Sequence, residues 1–159
     1  MRGWYEFNNS RTVVVFVHGL FSDSKKCWTS KSGVFWPDLL LKDARFNRPS
    51  VFLAEFYTTP DSNDYGIRNC AEEVFQLLFR EDNDRKKPPA HKDNIIFVAH
   101  STGGIVARYL VEAYRDKFVG KRIGFCLYAS PSYGSKWSSF FGVIARLFNN
   151  KLALELNWA

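Results

Sequence analysis

Two apolar rhythms alternate along this chain, and each predicts an element. Thr12 to Val17 (Thr-Val-Val-Val-Phe-Val) is an unbroken β-branched and aromatic run, the pattern of a strand buried on both faces. Val51 to Phe56, Ile95 to Ala99 and Ile123 to Ala129 repeat it. Between these runs the apolar positions fall three and four residues apart. Pro37 and the stripe Val34, Trp36, Leu40, Leu41 predict a helix over 34–44, with proline in its first turn where no N–H is needed. Ile67, Ala71, Val74, Phe75 and Leu78 predict a second over about 65–79, capped by Asn63 or Asp64. Ile105, Val106, Tyr109, Leu110 and Ala113 predict a third directly after the strand at 95–99. A fourth is expected over 137–148, and Lys151 to Trp158 is a last apolar segment of either type. Strands alternating with helices imply an α/β fold: a mostly parallel sheet with helices on both faces and right-handed crossovers. Residues 80–92, rich in charge and proline, read as an exposed connection.

Chemistry concentrates where the strand at 95–99 meets its helix, at Ala99-His100-Ser101-Thr102-Gly103-Gly104. A serine held at a sharp strand-to-helix turn needs strained backbone angles, so its neighbours must be small; Ala99, Gly103 and Gly104 are. The turn would lift the Ser101 hydroxyl clear of the sheet. It would also set the unpaired amides and positive dipole end of a helix beneath a developing oxyanion. This is the context of a nucleophile elbow, with alanine in place of the usual first glycine. Read alone, the same residues also fit a helix start capped by Ser101.

The strand at 12–17 ends in His18-Gly19-Leu20-Phe21. A His-Gly-Leu loop upstream of a His-Ser-x-Gly-Gly elbow, with Ser130-Pro131-Ser132-Tyr133-Gly134-Ser135 after the next strand, resembles α/β-hydrolases of the serine esterase/lipase type. The likeness is to the serine esterase and inositol-deacylase-like lipase branch, and it covers most of residues 12–140. It implies Ser101 as nucleophile and the backbone N–H groups of Leu20 and Thr102 as the oxyanion hole. His18, Gly19, His100, Gly103 and Gly104 would support them, His18 by bracing the oxyanion loop. Phe21 and Trp28 would stand beside the substrate, Trp28 within a polar, flexible segment 22–32 and with anchoring on the body as its other reading. The loop from Tyr57 to Asp64 would border the site from the carboxyl end of its strand.

Composition narrows the picture without changing it. At 159 residues the chain is one domain with room for a core. Its 15 Phe and 5 Trp serve chiefly that core. A net charge of +6 leaves room for peripheral contact with an anionic lipid surface, but no nucleic-acid motif accompanies it. Neither a Walker loop nor a Gly-x-Gly-x-x-Gly fingerprint follows a strand, which argues against a nucleotide-binding domain. Cys27, Cys70 and Cys126 lack metal-ligand spacing and read as reduced thiols, Cys70 and Cys126 buried. No metal or organic cofactor is implied. With no apolar stretch near the start and none approaching the ~20 residues of a membrane span, a cytoplasmic setting is expected.

The resemblance breaks at one point. In this fold the triad runs serine, then acid, then histidine, and no histidine follows Ser101. His91 enters the elbow strand from the wrong end. His100 should point into the sheet–helix packing, and His18 into its own loop. The triad acid is also unassigned. The expectation is therefore a hydrolase core that is incomplete at its C-terminus, with acid and base beyond residue 159. Its activity would be carboxylic ester or lipid hydrolysis through an acyl-enzyme on Ser101. The alternative is a non-catalytic domain of the same fold that binds an acyl or lipid ligand, or a protein partner. Oligomeric state is left open by the sequence.

Overall fold

The computed structural model describes residues 2–20, 22–57, 66–82 and 85–130. Five strands form one sheet: β1 (Gly3–Glu6), β2 (Thr12–Val17), β3 (Ser50–Ala54), β4 (Asn94–His100) and β5 (Arg122–Tyr128). Their order is β1-β3-β2-β4-β5. β2, β3, β4 and β5 pair in parallel, and β1 runs antiparallel against β3. The three longer helices are α1 (Trp36–Lys42), α2 (Ile67–Phe79) and α3 (Thr102–Ala113). The expected helix over 137–148, the segment 151–158, Pro131 to Ser135, Phe21, and Asn63 and Asp64 lie outside the described residues.

Alternation along β2 shows how the two faces are filled. Val13, Val15 and Val17 point to one side, where Cys70, Ala71, Val74 and Leu78 of α2 and Val106, Ala107 and Leu110 of α3 cover them. Val14 and Phe16 point to the other, with Val51, Leu53 and Trp28, and with Leu40 and Leu41 of α1. β2 and β3 are buried on both faces, which is why they read as continuous apolar runs. The chain leaves β2 toward β3 through α1, but leaves β4 toward β5 through α3. Crossovers of one hand running in opposite directions put their helices on opposite faces. The reversal falls between β2 and β4, and ligands in open α/β sheets bind at the carboxyl ends of strands at such a point. Those ends carry His18 and Ser101.

The elements differ from expectation at their margins. β1 was not expected; its four residues are all half-buried and show no clean alternation. α1 is shorter than 34–44, because Asp43 leaves the helix and its side chain accepts the Arg45 N–H of a following 3₁₀ turn. α2 starts at Ile67 with Gly66 as its cap, and the Asn69 side chain accepts the Gly66 N–H at 3.1 Å. The connection before β4 is not exposed throughout. Pro89 and Ala90 are buried in a 3₁₀ turn, and Lys92 donates to the Asn8 and Ser10 carbonyls at 2.6 and 2.8 Å. Cys70 is buried as expected, whereas Cys126 is exposed, because β5 is the last strand among the described residues. No helix among these residues is long and apolar enough to cross a membrane.

Candidate active site

Ser101 joins β4 to α3 with φ 54° and ψ −127°. A non-glycine residue in that region costs on the order of 1–3 kcal/mol and persists only where its surroundings over-determine it. They do so here. The Ser101 N–H donates to the Tyr128 carbonyl at the end of β5 at 2.9 Å, and the Ser101 carbonyl accepts the Gly104 N–H at 3.1 Å. The small neighbours are needed for close approach. A Cβ on Gly19 would stand 2.8 Å from Ser101 Cβ. One on Gly103 would collide with the His18 carbonyl and reach 2.6 Å from that of Val17, and one on Gly104 would strike Ser130. The His-Gly-Leu loop thus lies directly on the strand-to-helix turn at Ser101.

His18 is fully buried and both of its ring nitrogens are engaged. Nδ1 lies 2.9 Å from the Gly19 carbonyl oxygen, and Nε2 lies 3.3 Å from the Phe56 nitrogen. The Phe56 N–H can only donate, so Nε2 accepts and the proton belongs on Nδ1, donated to Gly19. The ring stacks on that of Phe56 at 4.6 Å and 8°. Burial pushes its pKa below the usual 6.5, against smaller upward pulls from the Gly19 carbonyl, Glu55 and Asp23. His18 is therefore a neutral brace between the β2 and β3 loops, with no lone pair to offer Ser101.

Leu20 and Thr102 are brought into contact in a specific way. The Leu20 N–H donates to Thr102 Oγ1 at 2.9 Å. Thr102 is fully buried and Leu20 half-buried. His100, on the α1 face of β4, sets Nδ1 in a buried position near Gly19 with no hydrogen-bond partner among the described residues. The edge of Trp28 meets it at 6.5 Å and 81°. Trp28 itself is 5% exposed and packs on Phe16 and Trp36 at 5.0 and 5.7 Å. The segment leading to it is pinned, in contrast to the flexible loop expected. Asp23 Oδ1 accepts the Lys25 and Lys26 N–H groups, both at 2.8 Å, while Ser24 donates its N–H and hydroxyl to Glu55 at 3.2 and 3.1 Å. Phe21 falls outside the described residues.

Several contributors had no signal in the sequence. Phe56 follows an expected strand, but nothing marked it as the partner of a histidine 38 residues away. Glu55 and Tyr128 act through one carboxylate and one carbonyl, and their placement depends on strand order. A cavity of about 540 Å³ lies away from all of this, at the opposite end of the sheet between Glu6, Arg11, Thr12 and Arg48. Its arginines face Asp93 and Glu6, so the elbow is the better candidate site.

A family model described as "Alpha/beta hydrolase family" matches residues 14–158. Among solved structures, a protein of Agrobacterium vitis S4 with a provisional hydrolase name is 18% identical, with a TM-score of 0.50; the match covers 81% of this chain and 44% of that one. Esterase B of Lactobacillus rhamnosis, solved with a C4-C4 SN3 tributyrin phosphonate inhibitor, is 14% identical, with a TM-score of 0.51. There the match covers 93% of this chain and 47% of that one. Likeness at this identity shows the fold alone, and the chain spans about half the length of these structures. No curated protein matches the sequence.

Proposed function

The chain belongs to the alpha/beta hydrolase family, and from that premise we propose that it is a serine hydrolase of the esterase or lipase type, acting through an acyl-enzyme on Ser101. The observation that carries this reading is the backbone of Ser101. Its φ of 54° and ψ of −127° give a strained serine at the switch point of the sheet, with the His18-Gly19-Leu20 loop packed on it. A helix cap needs no such conformation, because cap residues take ordinary extended angles.

In the proposed reaction Ser101 Oγ attacks the ester carbonyl carbon and its proton passes to a general base, which in this fold is a histidine. The oxyanion is met by the Leu20 and Thr102 N–H groups. Collapse then expels the alcohol, and water releases the acid from the acyl-serine. His18, Gly19, Gly103 and Gly104 hold the loop and elbow together, and Trp28 and His100 back the site from the α1 side. The substrate is a carboxylic ester or lipid ester. Three free cysteines support a reducing, cytoplasmic setting.

A non-catalytic reading, in which the same site binds an acyl ligand or a protein, is favoured by one observation: His18 has both ring nitrogens spent. Hydrolysis of a p-nitrophenyl butyrate series, with the acyl-protein trapped by acid quench, separates the two. The enzyme reading expects one acyl group per chain and none on S101A. Equal acylation of both would overturn it.

A further inference from the structure

The hydrogen bond from Leu20 to Thr102 sits where it is least expected. Leu20 N–H is the donor that the proposed mechanism aims at the oxyanion, yet here its hydrogen is directed at Thr102 Oγ1 at 2.9 Å. Thr102 is fully buried, so its hydroxyl cannot itself meet a substrate. Leu20 is half-buried. The bond joins residues 82 apart, and Gly19 and Gly103 already fix the loop against the elbow by close packing. The hydroxyl is thus not needed to bring the loop and the elbow together; its effect is on where one N–H points.

We propose that Thr102 is a positioning residue that holds the Leu20 amide in the resting protein and hands it to the oxyanion as the tetrahedral species forms. The inference rests on Ser101 being the nucleophile. An N–H has one hydrogen, and a charged oxygen is a stronger acceptor than a neutral hydroxyl. The oxyanion therefore takes the donor, and the Leu20–Thr102 bond is the cost of taking it. Such a donor is satisfied while no substrate is present, unlike an open hole whose buried N–H groups stand unpaired. One consequence is a rate held below what a freed amide would give.

Thr102→Val keeps the shape and removes the acceptor, and Thr102→Ser keeps the acceptor. Second-order reaction of the chain with a fluorophosphonate is expected to quicken roughly three- to tenfold in T102V, the worth of one neutral hydrogen bond, and to stay near wild type in T102S. A merely structural clamp predicts the opposite sign. A slower T102V beside an intact T102S would overturn the handover. Should no form react at Ser101, that result bears on the nucleophile and its base and not on the handover. Amide hydrogen exchange at Leu20 then still decides whether the amide is held: T102V is expected to exchange several-fold faster than wild type and T102S. Unchanged exchange in T102V would refute the proposal without any reference to activity.

Discussion

His18 shows at the scale of one residue how the site is held. Its neutral ring ties the Gly19 carbonyl to the Phe56 amide, so charging it would cost both the acceptor at Nε2 and the burial. Because burial lowers its pKa in the folded state below the unfolded 6.5, the unfolded chain binds the extra proton first as pH falls. Stability contributed by His18 is thus present above 6.5 and is lost below it, toward the folded pKa. Thermal melts between pH 7.5 and 5.5 are expected to show a falling Tm, with a flatter slope in H18Q. The carboxylates held low by hydrogen bonds, such as Asp23 and Asp93, give up their share only further down. At neutral pH, His18→Ala would strand the Phe56 N–H and is expected to cost about 1–3 kcal/mol, read from urea unfolding. Gly103→Ala brings a methyl group against two backbone carbonyls. Overpacking of this kind costs roughly 1–3 kcal/mol, and here it should also push the oxyanion loop off the elbow, so that loss of reactivity exceeds loss of stability.

At the scale of elements, Trp28 carries the clearest prediction. It closes the α1 side of the sheet between Phe16, Trp36 and His100. Trp28→Ala is expected to destabilise by about 3–5 kcal/mol, as a reduced midpoint at unchanged m in urea. What could be read in advance follows from what is local. Thr12 to Val17 is the observed β2 residue for residue, and Asn94–His100 and Arg122–Tyr128 match within a residue or so at either end, because each is a nearly continuous apolar run, although of the three only β2 and β4 are largely buried. β1 left no such trace, since Gly-Trp-Tyr-Glu is short and half-buried throughout. Trp28 in its polar loop was ambiguous because burial there depends on Glu55 and Asp23 pinning the segment. The strand-to-helix turn at Ser101 was legible from six consecutive residues. The partners that orient it, Tyr128, Phe56 and the Leu20 amide, were not, because they meet it only through strand order.

For the whole molecule, the order β1-β3-β2-β4-β5 sets the switch point between β2 and β4 and brings His18, Gly19, Leu20 and Ser101 to one edge. The same order leaves β5 outermost among the described residues, with Phe125, Leu127 and Tyr128 38%, 39% and 43% exposed. An exposed apolar edge strand is prone to pair with another chain.

The central claim is that Ser101 is a nucleophile, and intact-mass measurement after reaction with a fluorophosphonate tests it directly. As the Ser101 Oγ–phosphorus bond forms, the phosphorus–fluorine bond breaks, fluoride leaves and the hydroxyl proton passes to solvent or a base. The account predicts one phosphonyl adduct per chain, mapped to the peptide containing Ser101 and absent in S101A. Adducts spread over other serines, or equal in S101A, would contradict it.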